Sequence, residues 1–583
     1  MPPRLVVGLP NHLLLGYAII VLMVGVASLL RWLTRADRAR MTATDTESTP
    51  GDARRIAATR AALAGILLAS TAFLIYAWRF QHPSGLMSVD DSNFSTLALL
   101  DWRAFVEHGL GGLVTALTAG DPNAPLVPLL AAPLTAKDPL TSATVLVQIP
   151  FVWLLIISSH SIYRRITGPK AALIGTVVTA FLPGVLIYSR LLHFAVPLTA
   201  VLTAALAALL ASRGLTSWRW MLVFGVLMGL AVLTRTIAVA MVPGLVVAAV
   251  VLGIRSAPFR VWVPNLAIGL AAAAVVAGPW YLANFSAVWE YLTFNGYDAT
   301  SAFYAQTAPW MMRLNQIVGE DIFLPLFVTG IVAVAVSLVR RLFRRGSVVS
   351  APRATIAAIA VTVTCYFLAL ASSHNGGTAF TLPLAPLLVA LVLVAANQLG
   401  PRQAALAGVV ALLILAAGLS AALIPLGHLG FNGYGIVDGR SASDAQIESA
   451  LGAGDSPVAD PASLGAAIQR ANCAIAARAV EGPILNTRSD ALLSGGIAYC
   501  AEGVYRTQAF VYNSGCAATD ADCVAGVISH YGFPTVVTGN APAPYPGSNP
   551  EEVVLPALAG YRLVMEIDIA PGVVVHVWAR PGY

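Results

Sequence analysis

Charge is what this chain has least of. Of its 583 residues only 11% are Asp, Glu, Lys or Arg, 57% are apolar, and the mean hydropathy is +0.76. That composition excludes a soluble protein of this length. Lysine is nearly missing: the 34 basic residues include only Lys137 and Lys170. Nothing resembles a basic patch, so nucleic acid is not an expected partner. Cysteine is scarce, with five residues and no C-x-x-C pair, which argues against a zinc centre. No carboxylate falls within a long apolar run, whereas ion- and proton-coupled transporters keep ionisable groups near the bilayer midplane. Gly376-Gly377 lacks the strand–glycine–helix setting of a phosphate loop.

What the chain has is apolar runs. Segments near 20 residues, enough to cross about 30 Å of hydrocarbon, recur at 13–30, 61–78, 143–161, 171–189, 194–212, 219–234, 236–254, 262–283, 322–339, 354–371, 379–397 and 403–425. These twelve predict a polytopic α-helical membrane protein. The stretch 219–254 would measure roughly 54 Å as one helix, so it is divided at Leu233-Thr234-Arg235-Thr236. The first run has neither a strong basic flank before it nor a small-residue cleavage site after it, and is expected to stay as an anchor. Three units follow: an anchor with a basic cytoplasmic loop (1–60), a membrane domain (61–425) and a polar remainder (426–583).

Basic residues at span ends mark the cytoplasmic side. Arg31, Arg35, Arg38, Arg40, Arg54, Arg55 and Arg60 follow the first span, and alternate loops carry Arg164/Arg165/Lys170, Arg213/Arg219, Arg255/Arg260, Arg340/Arg341/Arg344/Arg345 and Arg402. Loops 79–142, 190–193, 284–321 and 372–378 are then external, as is everything after about residue 425. Of fourteen acids in the membrane half, ten lie in external loops: Asp90, Asp91, Asp101, Glu107, Asp121, Asp138, Glu290, Asp298, Glu320 and Asp321. The expected location is the inner (plasma) membrane, with chemistry on its outer face.

After Pro425 the texture becomes that of a soluble domain, expected to be extracytoplasmic and mixed α/β. Strand-like runs occur at 483–488, 535–538, 561–569 and 572–578, the last two reading as a hairpin. Helical patterns occur at 460–480 and 551–558, and 430–460 reads as a linker. Cys473, Cys500, Cys516 and Cys523 lie here, and an even number in an oxidising compartment favours disulfides. Spacing favours Cys516–Cys523 and Cys473–Cys500, against the alternative of buried free thiols.

Asp90 and Asp91 stand beyond the span ending near Trp78. An acid pair at a membrane boundary suits an enzyme that needs a base or an anion there, though either residue could instead cap the helix expected over 92–106. The order of features around the pair resembles the GT-C glycosyltransferases, in particular the group of protein O-mannosyltransferases and lipid A aminoarabinose transferases. The matching residues are Asp90-Asp91-Ser92-Asn93-Phe94, Pro125-Leu126-Val127-Pro128-Leu129-Leu130, Gly229-Leu230-Ala231-Val232-Leu233-Thr234-Arg235, Pro279-Trp280-Tyr281-Leu282-Ala283-Asn284 and Leu382-Pro383-Leu384-Ala385-Pro386-Leu387-Leu388. The resemblance covers roughly residues 60–425. Three positions depart from the group's pattern: Asp-Asp and Phe94 where Asp-Glu and Tyr are frequent, Asn123-Ala124-Pro125 where Lys-Pro-Pro is frequent, and His193 where a second acid is frequent.

The resemblance implies a sugar carried on polyprenyl phosphate and transferred, with inversion, to an extracytoplasmic glycan, lipid or protein. Asp90 or Asp91 would be the base, since a carboxylate beside another has a raised pKa and accepts a proton more readily. Arg235, Arg190 and His193 are the expected donor-phosphate ligands, with snorkelling at the headgroups as the plain alternative for the arginines. Asp298, Tyr297, Arg313 and His374 are candidate substrate contacts. No organic cofactor is implied, while a divalent metal stays open, because ten outer carboxylates exceed what one base requires. Two other classes would share the hydropathy profile: a polytopic lipid or polysaccharide transporter, and a non-catalytic cell-envelope scaffold.

Overall fold

The computed structural model describes residues 50–76, 89–120, 122–135, 146–189, 191–297 and 309–322, positions 327, 328, 330–332, 334 and 335, then 353–373, 375, 379–396, 408, 470–487, 497, 500, 511–512, 520–540, 549–570 and 573–582. The expected span 13–30 and the linker 430–460 lie outside the described residues, and spans 322–339 and 403–425 are described at scattered positions only.

The described residues of the membrane half form helices: α1 (Pro50–Tyr76), α2 (Val89–Leu117), α3 (Leu126–Thr135), α4 (Gln148–Ile166), α5 (Pro169–Ala180), α6 (Pro183–Tyr188), α7 (Ala195–Ala211), α8 (Trp218–Thr234), α9 (Ala238–Ser256), α10 (Phe259–Ala283), α11 (Phe285–Tyr297), α12 (Pro309–Gln316), α13 (Arg353–Ala371) and α14 (Ala385–Ala396). Among the described residues four helices are long and apolar enough to cross a membrane by length and composition: Ala57–Tyr76, Ala238–Ser256, Phe259–Ala283 and Ala354–Ala371. Shorter apolar helices, α5, α7, α8 and the Leu382–Ala396 segment, fill in between them.

Three boundaries differ from expectation for local reasons. Helix α1 begins at Pro50, so Arg54, Arg55 and Arg60 ride on the helix rather than in a loop before it; arginine is a good helix former, and its long stem lets the charge reach water. The expected span 171–189 is two helices, because Pro183 has no N–H to continue α5 and holds Leu182 in an extended conformation (φ −59°, ψ 140°). Helix α2 starts earlier than expected, at Val89, and kinks at Gly109 (φ 63°, ψ −153°).

Helix α7 is the axis of the core, with all seventeen residues buried. It packs on α4 and α8, while α8 packs on α10, and α9 on α13. The α8–α10 crossing depends on small residues. A Cβ at Gly225 would lie 1.9 Å from the Gly269 carbonyl oxygen, and one at Gly229 would lie 2.7 Å from Val276 Cβ. Without a hydrophobic drive between helices in lipid, such close backbone approach supplies the dispersion contact.

The described residues of the C-terminal region form a mixed sheet of order β2-β1-β3-β5-β4, with β1 (Ile484–Asn486), β2 (Val511–Tyr512), β3 (Thr535–Gly539), β4 (Arg562–Ala570) and β5 (Val573–Ala579). Strand β1 runs parallel to β2 and β3, and β5 is antiparallel to β3 and β4. The hairpin is as expected. Helix 470–476 runs into the 3₁₀ turn Ala477–Glu481, and Glu551–Val554 into Leu555–Leu558, so both expected helices tighten at their C-terminal ends; residues 460–469 of the first lie outside the described residues. Helix α15 (Ala521–Tyr531) was not expected, although its ends are written in the sequence. The Asp520 carboxylate accepts the Cys523 N–H at 2.9 Å, and Gly532 closes the helix in the left-handed region (φ 60°). Cys473 and Cys500 form a disulfide. Cys523 is also disulfide-bonded; its expected partner Cys516 lies outside the described residues. Cys365, in α13, is a free thiol.

Candidate functional site

The interruption between α8 and α9 creates the site. Helix α8 ends at Thr234, Arg235 takes an extended conformation (φ −157°, ψ 138°), and the helix resumes at Ala238. The Arg235 guanidinium is thereby released between helix ends, where it is only 7% exposed. Its Nη1 donates to Asn123 Oδ1 at 3.2 Å and its Nη2 to the Tyr291 hydroxyl at 2.8 Å. Its Cζ lies 4.7 Å from the ring centre of Phe194 and 5.8 Å from those of Phe94 and Tyr291. The four neighbours come from four segments: α2, the turn before α3, the turn before α7, and α11.

Each segment is held in place. Tyr281 donates from its hydroxyl to the Val232 carbonyl at 3.0 Å, fixing the last turn of α8. Asn284 Oδ1 accepts the Gly120 N–H at 2.9 Å, and its Nδ2 donates to the Leu117 carbonyl at 2.9 Å. The P-W-Y-x-x-N motif is thus a brace, joining the end of α10 to the segment that delivers Asn123 and to the turn that delivers Arg235. Gln148 Nε2 donates to the carbonyls of Leu191 and His193, both at 2.8 Å, and so pins the turn that presents Phe194.

Behind Phe194 the aromatic packing continues. Phe380 stacks on it with ring centres 5.3 Å apart, and Arg313 Cζ lies 5.9 Å from the centre of Phe380. Arg313, 1% exposed, donates Nη1 to Gln316 Oε1 at 2.8 Å, Nε to the Leu370 carbonyl at 3.3 Å and Nη2 to the Asn375 carbonyl. Helix α12 passes into a π-helical turn, Ile317–Asp321. Fully buried Asp321 there accepts from the Thr381 hydroxyl at 2.5 Å. A Cβ at Gly184 would come within 2.9 Å of Asp321 Oδ1 and 2.7 Å of Leu382 Cδ1, so a larger residue there would displace one of them.

Of the residues named from sequence, Arg235 is at the centre. His193 is beside it at one remove, stacked between Tyr188 (5.0 Å) and Phe194 (4.2 Å), with Nδ1 accepting the Ala195 N–H at 3.1 Å. That bond leaves the proton of a neutral ring on Nε2. Arg313 donates to Gln316 and to the carbonyls of Leu370 in α13 and Asn375 beyond it. Asp90 and Asp91 occupy the first turn of α2, where the helix dipole favours acids, and not the capping position before Val89. Their side chains lie outside the described residues, as do Arg190, Asp298, His374 and the side chain of Tyr297. Among the described residues no group of three or more His, Cys, Asp or Glu is assembled that could hold a metal. The sequence reading did not single out Phe194, Tyr291, Phe380 or Asp321 as candidate site residues; Asn123 and Phe94 entered it only as departures from a family pattern. All three departures (Phe94, Asn123 and His193) prove to gather around Arg235.

Residues 114–281, under a third of the chain, match the family model described as dolichyl-phosphate-mannose-protein mannosyltransferase. ArnT from Cupriavidus metallidurans bound to undecaprenyl phosphate aligns with a TM-score of 0.52 at 16% identity, over 88% of this chain and 98% of its own. The apo form of the same protein aligns at 0.53 and 17%, with the same coverage. The chain has the GT-C fold. An oligosaccharyltransferase from Archaeoglobus fulgidus is more distant, with a TM-score of 0.45 and 13% identity over 82% of this chain and 69% of its own, and carries no argument. No curated protein sequence matches. On the GT-C fold of this chain, the family-model match takes in His193, Arg235 and Tyr281 and begins after Asp90 and Asp91. A multi-pass membrane protein is established by that fold; the number of spans is not.

Proposed function

We propose that this chain is an integral membrane glycosyltransferase that takes a sugar from a polyprenyl-phosphate donor at the outer face of the membrane and transfers it to an extracytoplasmic hydroxyl. One observation carries the reading. Arg235 is a buried guanidinium whose polar partners are the neutral oxygens of Asn123 and Tyr291, and no described residue brings a carboxylate to it. An uncompensated buried cation is costly to hold. An anion entering the site removes that cost, and a phosphate offers paired oxygens in the geometry of the guanidinium fork.

The chemistry follows from the leaving group. Phosphate departs from an anomeric carbon as an anion, so no strong general acid is needed, and Arg235 neutralises the growing charge. The acceptor hydroxyl gives its proton to Asp90 or Asp91 as it attacks from the opposite side, inverting the anomeric carbon. The fold likeness supports the reaction class, since ArnT carries undecaprenyl phosphate in one of the aligned structures. The aromatic faces of Phe94, Phe194 and Tyr291 exclude water from the guanidinium and strengthen its attraction for the phosphate.

The test is transfer from a panel of radiolabelled polyprenyl-phosphate sugars into membranes carrying the wild-type chain, Arg235→Ala, Asp90→Asn or Asp91→Asn, with and without chelator. Transfer by the wild type from at least one donor, lost in Arg235→Ala and in one of the aspartate variants, is the expected outcome. Equal transfer by all four chains would remove the proposal, and loss with chelator alone would assign a metal to the outer acids.

A further inference from the structure

We infer that Arg313 and Phe380 are positioning residues for the donor site. The inference rests on the function proposed above and extends it to a part of the fold that touches neither donor nor acceptor in that reading. Its basis is a chain of contacts between planar groups: the Arg235 guanidinium 4.7 Å from the centre of Phe194, Phe194 stacked 5.3 Å from Phe380, and the Arg313 guanidinium 5.9 Å from the centre of Phe380. Each ring of one aromatic pair therefore has a buried cation beside it.

The far end of that chain of contacts is anchored with unusual care. Arg313 joins three places at once, the Leu370 carbonyl at the end of α13, the Asn375 carbonyl in the loop beyond, and Gln316 on its own helix. Asp321, five residues past Gln316, takes the Thr381 hydroxyl. Between Asn375 and Thr381 the chain adopts a left-handed conformation at Ala379 (φ 71°), which a residue with a Cβ holds only when its surroundings impose it. Arg313 and Asp321 thus hold Asn375 and Thr381, and the bond to Thr381, next to Phe380 in the chain, fixes its ring against Phe194. A π-helical turn that ends at Asp321 links the two clamping residues, a geometry found frequently at functional sites.

The consequence is directional. Phe194 touches both Arg235 and Phe380, with His193 stacked on it as well, so a Phe380 ring allowed to tilt frees Phe194 to tilt, and the guanidinium loses part of its platform. Donor affinity should then fall without loss of the base. The ring of Phe380 matters here, and its apolar volume alone does not: leucine fills the space but cannot stack, whereas tyrosine can.

The experiment measures binding of undecaprenyl phosphate, together with thermal midpoints, for the full chain in lipid nanodiscs, comparing wild type, Arg235→Ala, Phe380→Leu, Phe380→Tyr and Arg313→Lys. The expected result is a Kd raised on the order of fivefold for Phe380→Leu, the scale of one aromatic pair, with restoration in Phe380→Tyr and a similar loss in Arg313→Lys, whose ammonium cannot make the same fork of bonds. If any variant fails to give a folded protein, donor KM against kcat in membranes is read from the other. Wild-type Kd in both Phe380→Leu and Arg313→Lys, with binding lost in Arg235→Ala, overturns the positioning role and leaves the donor site standing. Losses that track the thermal midpoint alone, with Phe380→Tyr no better than Phe380→Leu, also overturn it. A wild-type chain that does not bind undecaprenyl phosphate removes the function and this inference together.

Discussion

Arg235 gives the sharpest expectations at the scale of single residues. In the proposed function Arg235 makes two charge-assisted bonds to the donor phosphate, each worth about 1.5–3 kcal/mol, so Arg235→Ala should weaken undecaprenyl-phosphate binding by about 100-fold or more. Arg235→Lys keeps the charge but neither the fork nor the planar face that rests on Phe194, and should fall between, near tenfold. Isothermal titration or a lipid-competition assay reads both. For the acid pair, loss of a general base lowers kcat by about 10²–10⁴, so one of Asp90→Asn and Asp91→Asn should do so at unchanged donor KM. Ala379 offers a stability test: with φ at 71°, Ala379→Gly should stabilise the fold by about 0.5–1 kcal/mol, seen as a raised thermal midpoint. Much of this was readable beforehand. Arg235 stood out because a basic residue interrupts an apolar stretch of 36 residues. Tyr291 and Phe194 did not, since aromatic residues at a membrane boundary are too common to single out.

At the scale of helices, the contact that governs the site is the α8–α10 crossing, because α8 delivers Arg235 and α10 delivers Tyr281 and Asn284. Any side chain at Gly225 meets the Gly269 carbonyl oxygen at 1.9 Å, so Gly225→Leu must push the helices apart. The expected cost is about 1–3 kcal/mol, the usual range for overpacking, with a lowered thermal midpoint and a weakened donor site from the same displacement. Gly278→Ala is the control on the same helix: nothing lies within 4 Å of its would-be Cβ, and it should be neutral or slightly stabilising. The breaks between helices were legible wherever proline or charge interrupts the apolar pattern, as at Arg235. At Pro183 the signal was present but outweighed by the length of the run. The kink at Gly109 and the π-helical turn at 317–321 carry no periodic signature and emerge only from packing.

For the whole molecule, every described group that touches Arg235 comes from the membrane half, between Phe94 and Tyr291, while the sheet of the C-terminal region has its own core of Leu485, Val524, Ile528, Phe533, Val536, Val554 and Leu558. The Cys473–Cys500 bridge, with 27 residues of separation, closes a loop in that region. Replacing both cysteines by serine should lower its stability by about 2–4 kcal/mol and leave undecaprenyl-phosphate binding unchanged. Denaturant titration followed by tryptophan fluorescence, beside the binding assay, separates the two effects. Hydropathy, the placement of arginines and the turn and cap residues act over a few neighbours at a time, and from them alone the sequence determined the polytopic helical class, the mixed α/β character of the C-terminal region and the hairpin within it. The pairing of Arg235 with Asn123, 112 residues away, and the stacking that runs from Arg235 through Phe194 and Phe380 to Arg313 were decided only by the tertiary structure. Such contacts depend on which helix ends meet, and that is set by the shapes of packed surfaces, which no local pattern of polarity records.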